Sequence, residues 1–506
     1  MKQFLSLLSL LTIAFSAMAQ NYQKDFESFR KNQRSQFSQF KEEKQAEYDA
    51  FRKQINEEYA AFMEKNWEEY YGKPFVQPQK EPEVKPVIYE QPAPQPQVDP
   101  KEEPQPQEEP KAIPVQPDVV IVPTPTPAPE PIAPVQPKEE DTKKTKRVSI
   151  AFYGTIVSVD FPQPDSLKLT SINEADLAAA WKLLSSEQYD VTLANCLSAR
   201  KSLALCDWGY LELLRDIAKK QYGNTNEAVL MQAFLMTQSG YKIRLAKSTQ
   251  KLYLLVSSAF DLFNYNYYDI DGQTYYAIDC DVTQLYICPA FVQKEKAISL
   301  QIAKTQKLNE ELSDKRKLSS QKGVTVSSCV NKNEIDFYNN YPSGFVNHDI
   351  TTKWVAYANT PLNPRIQALL YPTFENITKN MSQKEAVNII LNWVQTAFEY
   401  EYDDKVWGED RAFFAAETLF YPYCDCEDRA ILFSRMVRDI LHLPVVLLYY
   451  PGHLATAVGF TEDVQGDYLT YKDKKYVVCD PTYIGAPVGR TMPSMDNTKA
   501  KIVVLK

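Results

Sequence analysis

The chain has 506 residues, 44% of them hydrophobic, and 33 prolines crowded mainly into one stretch. That length is too great for one hydrophobic core and calls for two or three units. Its formal net charge of −9 excludes nucleic acid as the main partner, because phosphate binding needs a basic footprint.

Residues 1–19 have the pattern of a secretory signal peptide. Lys2 precedes an apolar run from Phe4 to Phe15, and Ala17-Met18-Ala19 offers a small-residue cleavage site before Gln20. The run is shorter than the ~20 apolar residues that span a bilayer. The expected location is therefore secreted, in the periplasm or cell envelope of a bacterium, with no integral membrane segment after cleavage. Eight cysteines (Cys196, Cys206, Cys280, Cys288, Cys329, Cys424, Cys426 and Cys479) then lie where disulfides are permitted. One free reactive cysteine would leave an odd number, and the pairing stays open.

Residues 20–73 are expected to form one long helix. Aromatic pairs recur every eleven residues: Phe26/Phe29, Phe37/Phe40, Tyr48/Phe51 and Tyr59/Phe62, with Tyr70 opening a fifth. Eleven residues make three helical turns, so the pairs form one stripe along a rod on the order of 75 Å long. Such a stripe needs cover, which points to self-association or a second surface. Between residues 22 and 71 nine Lys/Arg face eleven Asp/Glu, which speaks against a basic membrane-surface helix.

Residues 74–147 read as a proline-rich disordered linker, too poor in large apolar side chains to build a core. Residues 148–330 read as a mixed α/β region of unknown role. Alternation over 148–160 suggests a strand, Ser171 and Glu174 a capping box, and Asp271-Gly272 a hairpin turn. The acids Asp269, Asp271, Asp279 and Asp281 lack the spacing of a calcium loop, so no metal is expected there, nor any cofactor elsewhere.

The chemistry lies in residues 331–506, with a core at 382–485. Ser382 and Glu385 form a capping box before a helix with apolar positions at Ala386, Ile390, Trp393 and Ala397. Pro422 then excludes a helix just before Cys424-Asp-Cys426, and from Glu427 the pattern turns helical. Cys426 is thereby expected at a helix N-terminus, where unpaired N–H groups and the helix dipole favour a thiolate and offer donors to an oxyanion. His453 opens a strand-like run after Pro451-Gly452, and a hairpin turning at Asp473-Lys474 returns to Asp480. An imidazole beside a carboxylate is what a thiol nucleophile needs for activation. The other histidines, His348 and His442, fall in a polar loop and at the end of the nucleophile helix.

The stretches Cys426-Glu-Asp-Arg-Ala-Ile-Leu, Leu443-Pro-Val-Val, Gly452-His-Leu-Ala-Thr-Ala-Val and Tyr476-Val-Val-Cys-Asp-Pro-Thr resemble the transglutaminase-like superfamily over roughly 125 residues. The resemblance implies an α+β papain-like domain whose nucleophile helix packs on an antiparallel sheet. It also implies Cys426 as nucleophile, His453 as general base and acid, and Asp480 as orienter. Two features depart from the family pattern: Tyr423 and Cys424 stand where a glycine often precedes the nucleophile, and Tyr421 and Tyr423 are only candidates for an oxyanion donor. A Cys424–Cys479 disulfide is one pairing the spacing leaves open.

The function expected from the resemblance is a secreted thiol acyl-transfer enzyme on peptide or protein substrates, with peptidase or amidase activity favoured over cross-linking. The alternative is an inactive envelope scaffold that binds peptide or protein.

Overall fold

In a computed structural model, residues 2–74, 85–90, 118–121, 129–289 and 295–505 are described. The side chains before residue 27 lie outside the described ones, and the expected signal sequence lies among them. The chain is α+β, with helices packed around two largely antiparallel sheets.

The first sheet has seven antiparallel strands in the order Glu68–Tyr71, Gln284–Ile287, Ile243–Lys247, Leu252–Ser257, Gln273–Ile278, Asn266–Ile270 and Lys73–Pro74. Asp271 and Gly272 both take positive φ (51° and 75°), the two-residue turn whose twist suits a hairpin. The stretch read from sequence as one strand over 148–160 is a hairpin, Thr145–Phe152 against Thr155–Pro162. Its tip is Tyr153-Gly154, with φ of 42° and 71°. Apolar alternation passes unbroken through a two-residue turn, so periodicity alone did not reveal it. The cap expected of Ser171 is supplied by Asn173, whose side chain accepts from the Asp176 N–H. Ser171 instead accepts from the Asn173 N–H.

The long helix spans Lys2–Met63 and stops ten residues short of its expected end at 73. Glu68–Tyr71 and Lys73–Pro74 are edge strands of the first sheet. The aromatic stripe also changes character along the helix. Phe29, Phe37, Phe40, Tyr48 and Phe51 are exposed, whereas Tyr59, Ala60 and Met63 are buried. Tyr59 stacks on Trp181 at 4.4 Å between ring centroids. Below it Asn56 and Gln238 exchange amide hydrogen bonds of 3.2 and 2.8 Å, and the Trp181 indole N–H donates to Asn56. Arg52 meets Asp190 at 2.5 Å. The rod is thus fastened to the body by its last turns, with no linker between them.

The residues expected to be linker also contribute order. Asp118–Ile121 adds a parallel strand to Lys501–Val504, and residues 85–90 lie along the loop after Asp480. The remainder of 75–128 falls outside the described residues. The second sheet runs Tyr468–Tyr471, Lys474–Cys479, His453–Val458, Val445–Tyr450, Lys501–Val504, Asp118–Ile121, antiparallel except for that last pair. Its outer hairpin turns at Lys472-Asp473, both with positive φ, one residue before the expected Asp473-Lys474. One continuous core reaches from Tyr59 through both regions to Leu505, so the expected boundary near 330 is not a break in packing. Among the described residues no helix is long and apolar enough to cross a membrane.

Candidate active site

Ser382 caps the helix Gln383–Thr396 by the expected capping box with Glu385, and its apolar face buries Val387, Ile390, Trp393 and Val394. Behind it, Tyr423–Cys424 pairs with Glu399–Tyr400. The chain then leaves extended geometry at Asp425, and the helix Cys426–Met436 begins with Cys426 as its first residue. The Asp428 carboxylate reaches back to accept from the Asp425 N–H at 3.2 Å. This helix is buried along nearly its whole length and packs against the strand that His453 opens.

Strand register brings His453 and Asp480 together. Thr456 pairs with Cys479, so the next residue, Asp480, falls opposite Ala455, diagonal to His453 on the same face. His453 Nε2 lies 2.9 Å from Asp480 Oδ2. Asp480 Oδ1 accepts from the N–H groups of Thr482 (2.8 Å) and Tyr483 (3.3 Å). With Nε2–H donated to the carboxylate, Nδ1 is the nitrogen left as a base. Nδ1 is buried and makes no hydrogen bond among the described residues.

Cys426, His453 and Asp480 are each 3% exposed. Cys426 Sγ donates to Glu427 Oε2 at 3.1 Å, and His453 Nδ1 takes no hydrogen bond from it. Around Glu427 lies a group of acids, all buried except the half-buried Asp410. Asp403, Asp425 and Asp428 offer carboxylate oxygens within 4.8 Å of one another, as do Asp403, Asp410 and Glu427. That spacing could hold a cation, but proton sharing also relieves it. Burial first, then the charges of Asp403 and Glu427, push the Asp428 carboxyl well above its ordinary value. A cavity of about 140 Å³ lined by Tyr338, Tyr357, Asp410 and Arg411 has in its wall the same Asp410.

Two residues that the sequence reading did not single out hold this frame. Gln395 is buried, and its Nε2 donates to the carbonyls of Asp480, Tyr483 and Ala486 (3.0, 2.8 and 3.1 Å). Its Oε1 accepts from the Gly485 N–H, so one side chain fixes the loop that carries the aspartate. Arg429 is 1% exposed and donates to the carbonyls of Gln395 and Phe398, at the negative end of the helix Gln383–Thr396. Its guanidinium also lies 5.2 Å from the Tyr400 ring. A glutamine and an arginine inside helical patterns look like surface residues in sequence, and only the fold turns them inward.

The tyrosines considered as oxyanion donors are engaged elsewhere or exposed. The Tyr421 hydroxyl donates to Asn339, and Tyr423 is exposed. None of the eight cysteines forms a disulfide, Cys424 and Cys479 included. Burial pushes both of their thiols upward, with the nearby Arg429 offsetting part of the rise at Cys424. His442 caps the helical turn Val437–Leu441 that continues the Cys426–Met436 helix, in a left-handed conformation. His348 is exposed and pairs with Asp261 at 2.9 Å. No family model matches the chain, and no curated protein matches it.

Proposed function

We propose that residues 331–506 form a transglutaminase-like, papain-like cysteine domain, and that the protein is a secreted bacterial thiol acyl-transfer enzyme acting on amide bonds of peptides or proteins. The observation that carries the reading is the buried His453–Asp480 pair at 2.9 Å, with Nδ1 unused, on a sheet packed by a helix whose first residue is Cys426. In the reacting arrangement Sγ leaves Glu427 and gives its proton to His453 Nδ1. The thiolate attacks the carbonyl carbon, and the oxyanion is met by N–H groups at the helix start. The imidazolium returns its proton to the leaving nitrogen as the C–N bond breaks, leaving a thioester. Water, deprotonated by Nδ1, then releases the acid and restores the thiol. Hydrolysis is favoured over transfer to an amine because water is always present and nothing in the sequence marks a lysine-binding tunnel.

The second reading is an inactive envelope scaffold that binds peptide or protein. Its support is the Cys426–Glu427 hydrogen bond amid buried acids, since a carboxylate 3.1 Å away disfavours a thiolate. A peptide-aldehyde panel followed by intact-mass analysis separates the two. We expect a hemithioacetal adduct in wild type and in Cys424→Ala, at least a hundredfold less in His453→Ala, and none in Cys426→Ala. An adduct that survives Cys426→Ala and disappears in Cys424→Ala would overturn the assignment.

A further inference from the structure

The loop that follows Asp480 already holds a peptide. Residues 85–90, Lys-Pro-Val-Ile-Tyr-Glu, run parallel to it, with Ile88 paired to Ile484. The Ile484 N–H donates to the Val87 carbonyl and the Tyr89 N–H to the Ile484 carbonyl, both at 2.9 Å. This is strand addition, in which main-chain bonds give affinity and alternate side chains give selectivity. Val87 and Tyr89 turn inward onto Tyr483, Ala486 and Met492, whereas Ile88 points outward and is 71% exposed. Tyr89 meets the Tyr483 ring edge to face at 5.5 Å. Tyr483 in turn donates its N–H to Asp480 Oδ1, and Gln395 holds the carbonyls on both sides of the contact. The groove is therefore a pinned edge beside the candidate triad.

We propose that the edge at residues 483–486 is the peptide-binding subsite of this domain. It takes an extended strand with an aliphatic residue, any residue, then an aromatic residue, and residues 87–89 occupy it as an intramolecular stand-in for substrate. That the bound peptide is a substrate rests on the enzymatic reading above; the groove itself does not. A tethered segment acts at an effective concentration on the order of millimolar, so it holds the edge against a free peptide of micromolar affinity. The exposed Ile88 position explains why the middle residue is unrestricted.

The test uses the full chain and a fluorescein-labelled peptide of residues 85–90, read by fluorescence polarisation. Weakening the resident strand by Val87→Ser with Tyr89→Ser should tighten peptide binding at least tenfold over wild type. Replacing residues 85–90 by Gly and Ser should do the same, and covers failure of the double variant to fold. In either background Ile484→Pro, which removes the N–H donor, should reduce binding at least tenfold, as should Tyr483→Ala. Equal binding by wild type and both strand variants, or binding indifferent to Ile484→Pro and Tyr483→Ala, would overturn the proposal. Each arm is repeated with Cys426→Ala. If binding follows the expected pattern there while the Cys426 chain forms no peptide-aldehyde adduct, the groove stands and the enzymatic reading fails.

Discussion

At the scale of single residues, the structure's buried acids set how its stability should respond to pH. Glu334 is 1% exposed, accepts one hydrogen bond from the Tyr338 hydroxyl, and burial pushes its carboxyl up to about 7. In the unfolded chain a glutamate titrates near ~4.3. The folded state therefore binds the proton more tightly, and the stability this gives is full below the unfolded value and lost as pH rises through about 7. Glu212 and Glu417 are raised to about 7 in the same way. Urea unfolding at pH 5 and pH 8 should show Glu334→Gln gaining on wild type by on the order of 2 kcal/mol between the two. A variant whose pH profile parallels wild type would show that Glu334 does not carry a raised pKa.

At the scale of elements, the most informative join is the tail of the long helix. Tyr59 is buried against Trp181, and Tyr59→Ala should cost about 3–5 kcal/mol, the usual range for removing a large buried aromatic. Chemical unfolding followed by Trp fluorescence would measure it, and a loss under 1 kcal/mol would mean the helix is not fastened there. Local signals made several elements readable in advance. The Asp271-Gly272 turn, the Ser382–Glu385 cap and the helix start at Cys426 depend on neighbours within a few residues. The end of the helix was not readable, because its aromatic spacing continues past Met63 while the strands at Glu68–Tyr71 and Lys73–Pro74 are made by backbone pairing with residues some two hundred positions away. The same reason hid the strands in the proline-rich stretch: main-chain bonds at Val87, Tyr89 and residues 118–121 leave no mark in composition. Gln395 and Arg429 were invisible because their partners are carbonyls, which every sequence has.

At the scale of the whole molecule, the exposed aromatics from Phe29 to Phe51 project on a helix whose other end is part of the core. That is the surface on which the self-association expected from sequence would act. The body carries a His–Asp pair whose Nδ1 makes no hydrogen bond, a thiol at the start of a helix packed on the same sheet, and a peptide strand laid along the loop after Asp480. The thiol, however, rests on Glu427, so the central claim is that Cys426 can be drawn from that carboxylate and activated by His453. The most direct measurement is the rate of iodoacetamide labelling of Cys426 from pH 5 to 9, located by mass spectrometry, in wild type and His453→Ala. An activated thiol labels rapidly below pH 7, under the ordinary cysteine value of about 8.5, and loses at least tenfold of that rate in His453→Ala. Labelling that rises only above pH 8 and is the same in both proteins would contradict the enzymatic reading and leave the scaffold.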